Sequence, residues 1–178
     1  MEEKQKNYLL NVKHQLSNLR SFLSVLKLID LEIGKVEPQD KILYIPSKFY
    51  LQSLVLELTI KIFYQLDLKK THKRTHDIEA LFKVLKLDTR NFITNEFNKN
   101  VQNNLSKFPK DLDIYEPKLE EALQNNADMV KNFKYTPKLR NGSIIQTPLL
   151  EVLHNEIKKR IEDLEGERRG LASQLHKI

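Results

Sequence analysis

Glu57 and Lys61 stand one helical turn apart in a stretch, Phe49 to Leu66, whose apolar residues fall on every face of a helix. A helix of that kind has to be buried, so a charged pair on it needs a reason. The pair could serve as acid and base, or as a buried structural ion pair; removing one partner of such a pair would destabilise the fold more than it would alter chemistry, and the structural reading is adopted. His72 and His76 follow at i, i+4, a spacing that can hold a metal ion on a helix. The segment between them is strongly positive and no carboxylate-rich third ligand is evident, so no metal is expected. His76 and Asp77 are read instead as organising the start of the next helix.

Two basic clusters could bind a polyanion. Lys69, Lys70, Lys73 and Arg74 form the denser one. Lys131, Lys134, Lys138 and Arg140 form the second, interleaved with Phe133 and Tyr135. Cations beside aromatic rings suit single-stranded RNA, through phosphate contacts and base stacking. The plainer alternative is a pair of solvated loops with the aromatics turned into the core.

The chain has 178 residues, enough for one domain with a sizeable core or one domain plus an extension. Its net charge of +6, from 30 basic and 24 acidic residues, permits nucleic-acid binding without demanding it. There is no cysteine, which excludes disulfides and thiolate zinc sites. Four glycines and six prolines leave little material for the turns of an all-β fold. No phosphate-binding glycine loop, nucleophile elbow or acidic metal cluster is present, so ordinary nucleotide hydrolysis, acyl transfer and metal-dependent nuclease chemistry have no support. No apolar run is long enough for a membrane span, and the start does not resemble a signal peptide. A soluble cytoplasmic protein without membrane partner or cofactor is expected.

The elements that must position these residues are helices. Leu9, Val12, Leu16, Leu19, Leu23 and Leu26 alternate steps of three and four, a seam that packs on another helix within a bundle or across a dimer. That helix should end near Gly34. Pro46-Ser47 should open the buried helix with Ser47 as N-cap, and Thr75 should cap a third helix whose inward face is Ile78, Leu81, Phe82 and Leu85. Phe92, Ile93, Phe97, Val101 and Leu105 mark a fourth. Pro117 begins a fifth, with Leu119, Leu123, Ala127, Val130 and Phe133 as its apolar stripe. Pro137 to Pro148 reads as a linker. Thr147 then caps a last helix carrying Leu150, Ile157, Leu164, Leu171 and Ile178, with Gly166 and Gly170 as weak points. The expected organisation is a helical core over residues 1–136, then a linker and C-terminal amphipathic helix over 137–178 that packs on the core or on a partner.

From Phe49 to Phe82 the chain resembles the HEPN superfamily of small helical bundles. Relatives carry a buried Glu-Leu-x-x-Lys, here Glu57-Leu58-Thr59-Ile60-Lys61, then a basic or glycine-rich loop and His-Asp-Leu-x-x-Leu, here His76-Asp77-Ile78-Glu79-Ala80-Leu81. Lys134-Tyr135 takes the place of a frequent Arg-Tyr, and the likeness covers roughly Tyr44 to Tyr135. It implies an all-α, HEPN-like helical bundle with long amphipathic N- and C-terminal helices, commonly a homodimer. Such domains occur in RNA-cleaving toxins and phage-defence systems and as non-catalytic modules beside nucleotidyltransferases.

Active relatives share an Arg followed after four to six residues by His, which cleave RNA without a metal. The imidazole handles a proton or the 2′-hydroxyl and the guanidinium steadies the phosphorane. Arg169 and His176, with six residues between them, match that spacing outside the resembling stretch. With seven arginines and five histidines, chance alone gives about 0.6 such matches. The expected function is RNA binding or metal-independent RNA cleavage in a toxin–antitoxin or phage-defence system. The alternative is a non-catalytic interaction subunit that docks through Leu9–Leu26 and Leu150–Ile178.

Overall fold

The structure, a computed structural model, describes residues 2–71, 75–106, 118–132 and 146–175. Among them are six α-helices and a single 3₁₀ turn, with no strand: α1 (Glu2–Lys35), the 3₁₀ turn (Asp40–Leu43), α2 (Ile45–Leu68), α3 (Ile78–Lys83), α4 (Leu87–Leu105), α5 (Leu119–Asn132) and α6 (Thr147–Leu175). The protein is an all-α helical bundle. No helix among the described residues is long and apolar enough to cross a membrane.

α2 is the axis of the bundle because its apolar residues leave no face for water. Val55, Leu56, Ile60, Ile62 and Phe63 are all fully or almost fully buried, and α1, α3, α5 and α6 surround it. Apolar surface removed from water stabilises by roughly 25 cal/mol per Å², and α2 adds Leu66 to the residues it buries in that core. α1 lays Leu9, Val12, Leu19, Leu23 and Leu26 against it, with Leu16 half-buried beside them. α6 contributes Leu149, Leu150, Leu153, Ile157 and Ile161 to the same continuous core.

α1 and α6 run antiparallel. Lys13 pairs with Glu165, Lys27 with Glu151 at 2.7 Å, and the Thr147 hydroxyl donates to Asp30 Oδ2 at 2.7 Å. The leucine seam of α1 and the described part of the α6 repeat therefore fill one protomer's interior, and neither is a docking seam. Periodicity shows that a helix has an apolar stripe but carries no information on whether the partner is intramolecular. α6 packs on the helices of the core, one of the two placements expected for it. Leu171 lies within α6, and Ile178 lies outside the described residues.

Three helix starts differ from expectation. α2 begins at Ile45, upstream of Ser47, because the 3₁₀ turn runs straight into it through Tyr44, whose backbone is already right-handed helical. Pro46 fits there, since a first-turn residue needs no N–H. α3 is capped by Asp77, not Thr75: Asp77 Oδ1 accepts from the Ala80 N–H at 3.0 Å, while Thr75 Oγ1 accepts from the Asp77 N–H at 3.0 Å. Thr147 and Pro148 lie inside the first turn of α6, so that helix takes the end of the segment read as linker. Pro117 and Phe133 lie outside the described residues.

Candidate functional site

Lys69 ends α2 in the left-handed region, with φ at 52°. In α3, Ile78, Leu81 and Phe82 are buried and fix the helix start against the core. This anchoring places His76, just outside the Asp77 cap, over the middle of α2.

There Glu57, Lys61 and His76 meet. His76 Nδ1 is 3.1 Å from both Glu57 carboxylate oxygens, and Lys61 Nζ donates to Glu57 Oε1. The Glu57 side chain is only 4% exposed and that of Lys61 10%, whereas the His76 side chain is 58% exposed. A buried carboxylate is tolerated when it is paired and hydrogen-bonded, and both conditions hold. A carboxylate that takes a lysine ammonium is an acceptor only, so the proton in the contact with His76 belongs to Nδ1, which donates. In the neutral ring this puts the remaining lone pair on Nε2.

The cluster belongs to a longer ribbon of buried polar side chains on α2. Ser53 Oγ donates to Asn126 Oδ1 of α5 at 2.7 Å. Gln65 Nε2 donates to Gln15 Oε1 of α1 at 2.7 Å, and Asn11 Nδ2 donates to Gln65 Oε1 at 3.2 Å. Ser53, Glu57, Lys61 and Gln65 follow one another at four-residue steps, each with a partner, so the ribbon sets the register of the surrounding helices.

A second polar cluster was not foreseen. Asp67 Oδ1 accepts from the Thr89 hydroxyl at 2.9 Å, and Asp67 Oδ2 from the Lys86 N–H at 2.8 Å. Arg160 of α6 donates through Nη1 to Thr89 Oγ1 at 2.7 Å, lies 3.4 Å from Asp67 Oδ1, and donates through Nε to Glu156 at 2.8 Å. Its guanidinium also sits 5.1 Å from the centroid of the Phe63 ring. The cluster ties α2, α4 and α6 together. Its one sequence signal is Asp67, an acidic residue on an apolar helix, the same argument that singled out Glu57.

The other candidate residues are less concentrated. Lys69 and Lys70 are exposed at the end of α2, with Lys70 Nζ 5.7 Å from the Tyr64 ring centroid. His72, Lys73, Arg74, Lys134, Lys138, Arg140 and His176 lie outside the described residues, and Arg169 lies within α6. Among the described residues, no three His, Asp or Glu side chains converge as metal ligands. Comparison of the chain with family models, curated proteins and solved structures finds no match.

Proposed function

We propose that this protein is a HEPN-like RNA-binding bundle whose contact surface runs from the basic end of α2 to His76. The reading is supported by one observation above all. Glu57, Lys61 and His76, drawn from two separate stretches that resemble that superfamily, form a single hydrogen-bonded cluster. Lys69 and Lys70, exposed at the helix end, supply phosphate-binding cations. The same reading carries a cytoplasmic toxin–antitoxin or phage-defence setting, a homodimeric state and a nucleotidyltransferase or other defence-system protein as partner. It leaves RNA cleavage to Arg169, which lies within α6, and His176.

Fluorescence anisotropy with a labelled single-stranded RNA tests it. Each phosphate contact to a single strand steepens the dependence of log affinity on log salt by about 0.7, so Lys69→Gln/Lys70→Gln should flatten the slope by about 1.4. No RNA binding, or a slope that does not move, would remove the reading. A non-catalytic interaction subunit is the second reading. It is favoured by Val25, Leu28 and Leu31, which lie exposed along the C-terminal half of α1.

A further inference from the structure

We propose that His76, oriented by Glu57, is a general base that takes the proton of a ribose 2′-hydroxyl beside a phosphodiester. This rests on the RNA-binding reading and assigns the catalytic base to the residue that precedes the Asp77 cap, in place of His176.

The geometry separates three tasks. Lys61 pairs with Glu57 from within the core and fixes the carboxylate in place. Glu57 receives the Nδ1 proton of His76 symmetrically, at 3.1 Å to each oxygen, which sets both the ring's orientation and its tautomer. His76 alone of the three reaches water, with its side chain 58% exposed. Nε2 has no hydrogen-bond partner among the described residues. An imidazole held through one nitrogen by a carboxylate and open at the other is the arrangement that general-base catalysis needs.

The arrangement is also more than a structural ion pair requires. Glu57 and Lys61 already satisfy each other across one helical turn, and a wholly structural cluster such as Asp67–Thr89–Arg160 commits its polar groups inward. Here the third member is mostly in solvent. Lys69 is about 18 Å further along the α2 axis, a span that a strand of a few nucleotides covers while its phosphates reach the cations.

The step balances without an oxidant or reductant. The 2′-hydroxyl proton passes to His76 Nε2 as the 2′-oxygen bonds to phosphorus. The bond from phosphorus to the 5′-oxygen breaks, and the leaving 5′-oxygen takes a proton from water while the imidazolium returns its own to solvent. The products are a 2′,3′-cyclic phosphate and a 5′-hydroxyl.

The test uses the full chain with an end-labelled single-stranded RNA in the presence of a chelator, with products resolved on a gel. Cleavage to cyclic-phosphate ends is expected, and an all-deoxy strand should stay intact. His76→Ala should lower the cleavage rate by roughly 10²- to 10⁴-fold, far more than it lowers RNA affinity, with the helical circular dichroism of the folded chain retained. Added imidazole should restore part of that rate, a rescue that a merely structural histidine would not show. Full cleavage by His76→Ala, with loss only in His176→Ala, would overturn this assignment and leave the RNA reading standing. So would RNA that is bound but never cut by the wild type. RNA that is not bound at all would instead sink the reading beneath it.

Discussion

Replacing Lys61 by methionine keeps the stem that lines the core and removes the ammonium. Glu57 would then be a carboxylate that is almost wholly buried, with His76 as its one remaining partner in the cluster. Breaking a buried pair from one side destabilises by about 3–5 kcal/mol, because the surviving charge has lost its compensation. For a chain of this length that corresponds to a fall in melting temperature of roughly 6–20 °C. The companion variant Glu57→Leu/Lys61→Met removes both charges. It leaves only the exposed His76 without its partner, and water can replace that bond. Replacing both members of a buried pair with apolar residues is often neutral or stabilising, so the double variant should lose less than half of what the single variant loses. Urea unfolding followed by helical circular dichroism gives both numbers. A loss below about 1 kcal/mol for Lys61→Met would refute the argument, since it would mean that the carboxylate is solvated or neutral in the native protein. A double variant as unstable as two independent losses would refute it too.

Other outcomes follow from single positions. Gly166→Ala should stabilise by about 0.5–1 kcal/mol in thermal unfolding, because the residue is mid-helix and an added Cβ meets nothing within 4 Å. Lys69→Gly should raise stability by up to about 1 kcal/mol, by relieving a side chain from the left-handed conformation at the end of α2, while weakening RNA binding in the same sample. His154 is half-buried on α6; burial, then Arg20, Lys158 and Lys27, hold its pKa below the usual 6.5 against a hydrogen bond with Asn155 that raises it. The unfolded chain therefore binds its proton first, so this residue's contribution is complete above about pH 6.5 and declines as pH falls below it. The urea midpoint should fall less for His154→Gln than for the wild type between about pH 7.5 and 5.5.

The burial of α2 was legible because apolar residues on every side of a helix admit no other outcome, and the inward faces of α1, α3 and α4 were legible from their spacing. Helix starts were less so. Thr75 and Asp77 are both good caps two residues apart, and the choice fell to Asp77 because Ile78 is the first residue that the core can hold. The 3₁₀ turn ahead of α2 made a capping side chain at Ser47 unnecessary. No local pattern could join Asp67 to Arg160, which lie 93 residues apart.

The ribbon on α2 shows where the boundary of legibility falls. A step of four residues on an α-helix advances about 40° around the axis, so Ser53 and Gln65, three such steps apart, face directions differing by about 120°. They cannot share a neighbour. Ser53 meets α5, and Gln65 meets α1. Glu57 and Lys61, midway, meet the chain that leads into α3 through His76. For the four polar side chains of this ribbon, burial announces that a partner is needed, and angular position decides which neighbour supplies it. The sequence states the first fact outright. The second becomes readable only once the order of helices around α2 is known, and that order is set by the loops, whose paths are not encoded in any helical period. His76 was therefore recognisable as a residue with a role from its place beside the Asp77 cap, whereas its role as the exposed end of a buried carboxylate's hydrogen-bond chain required the fold.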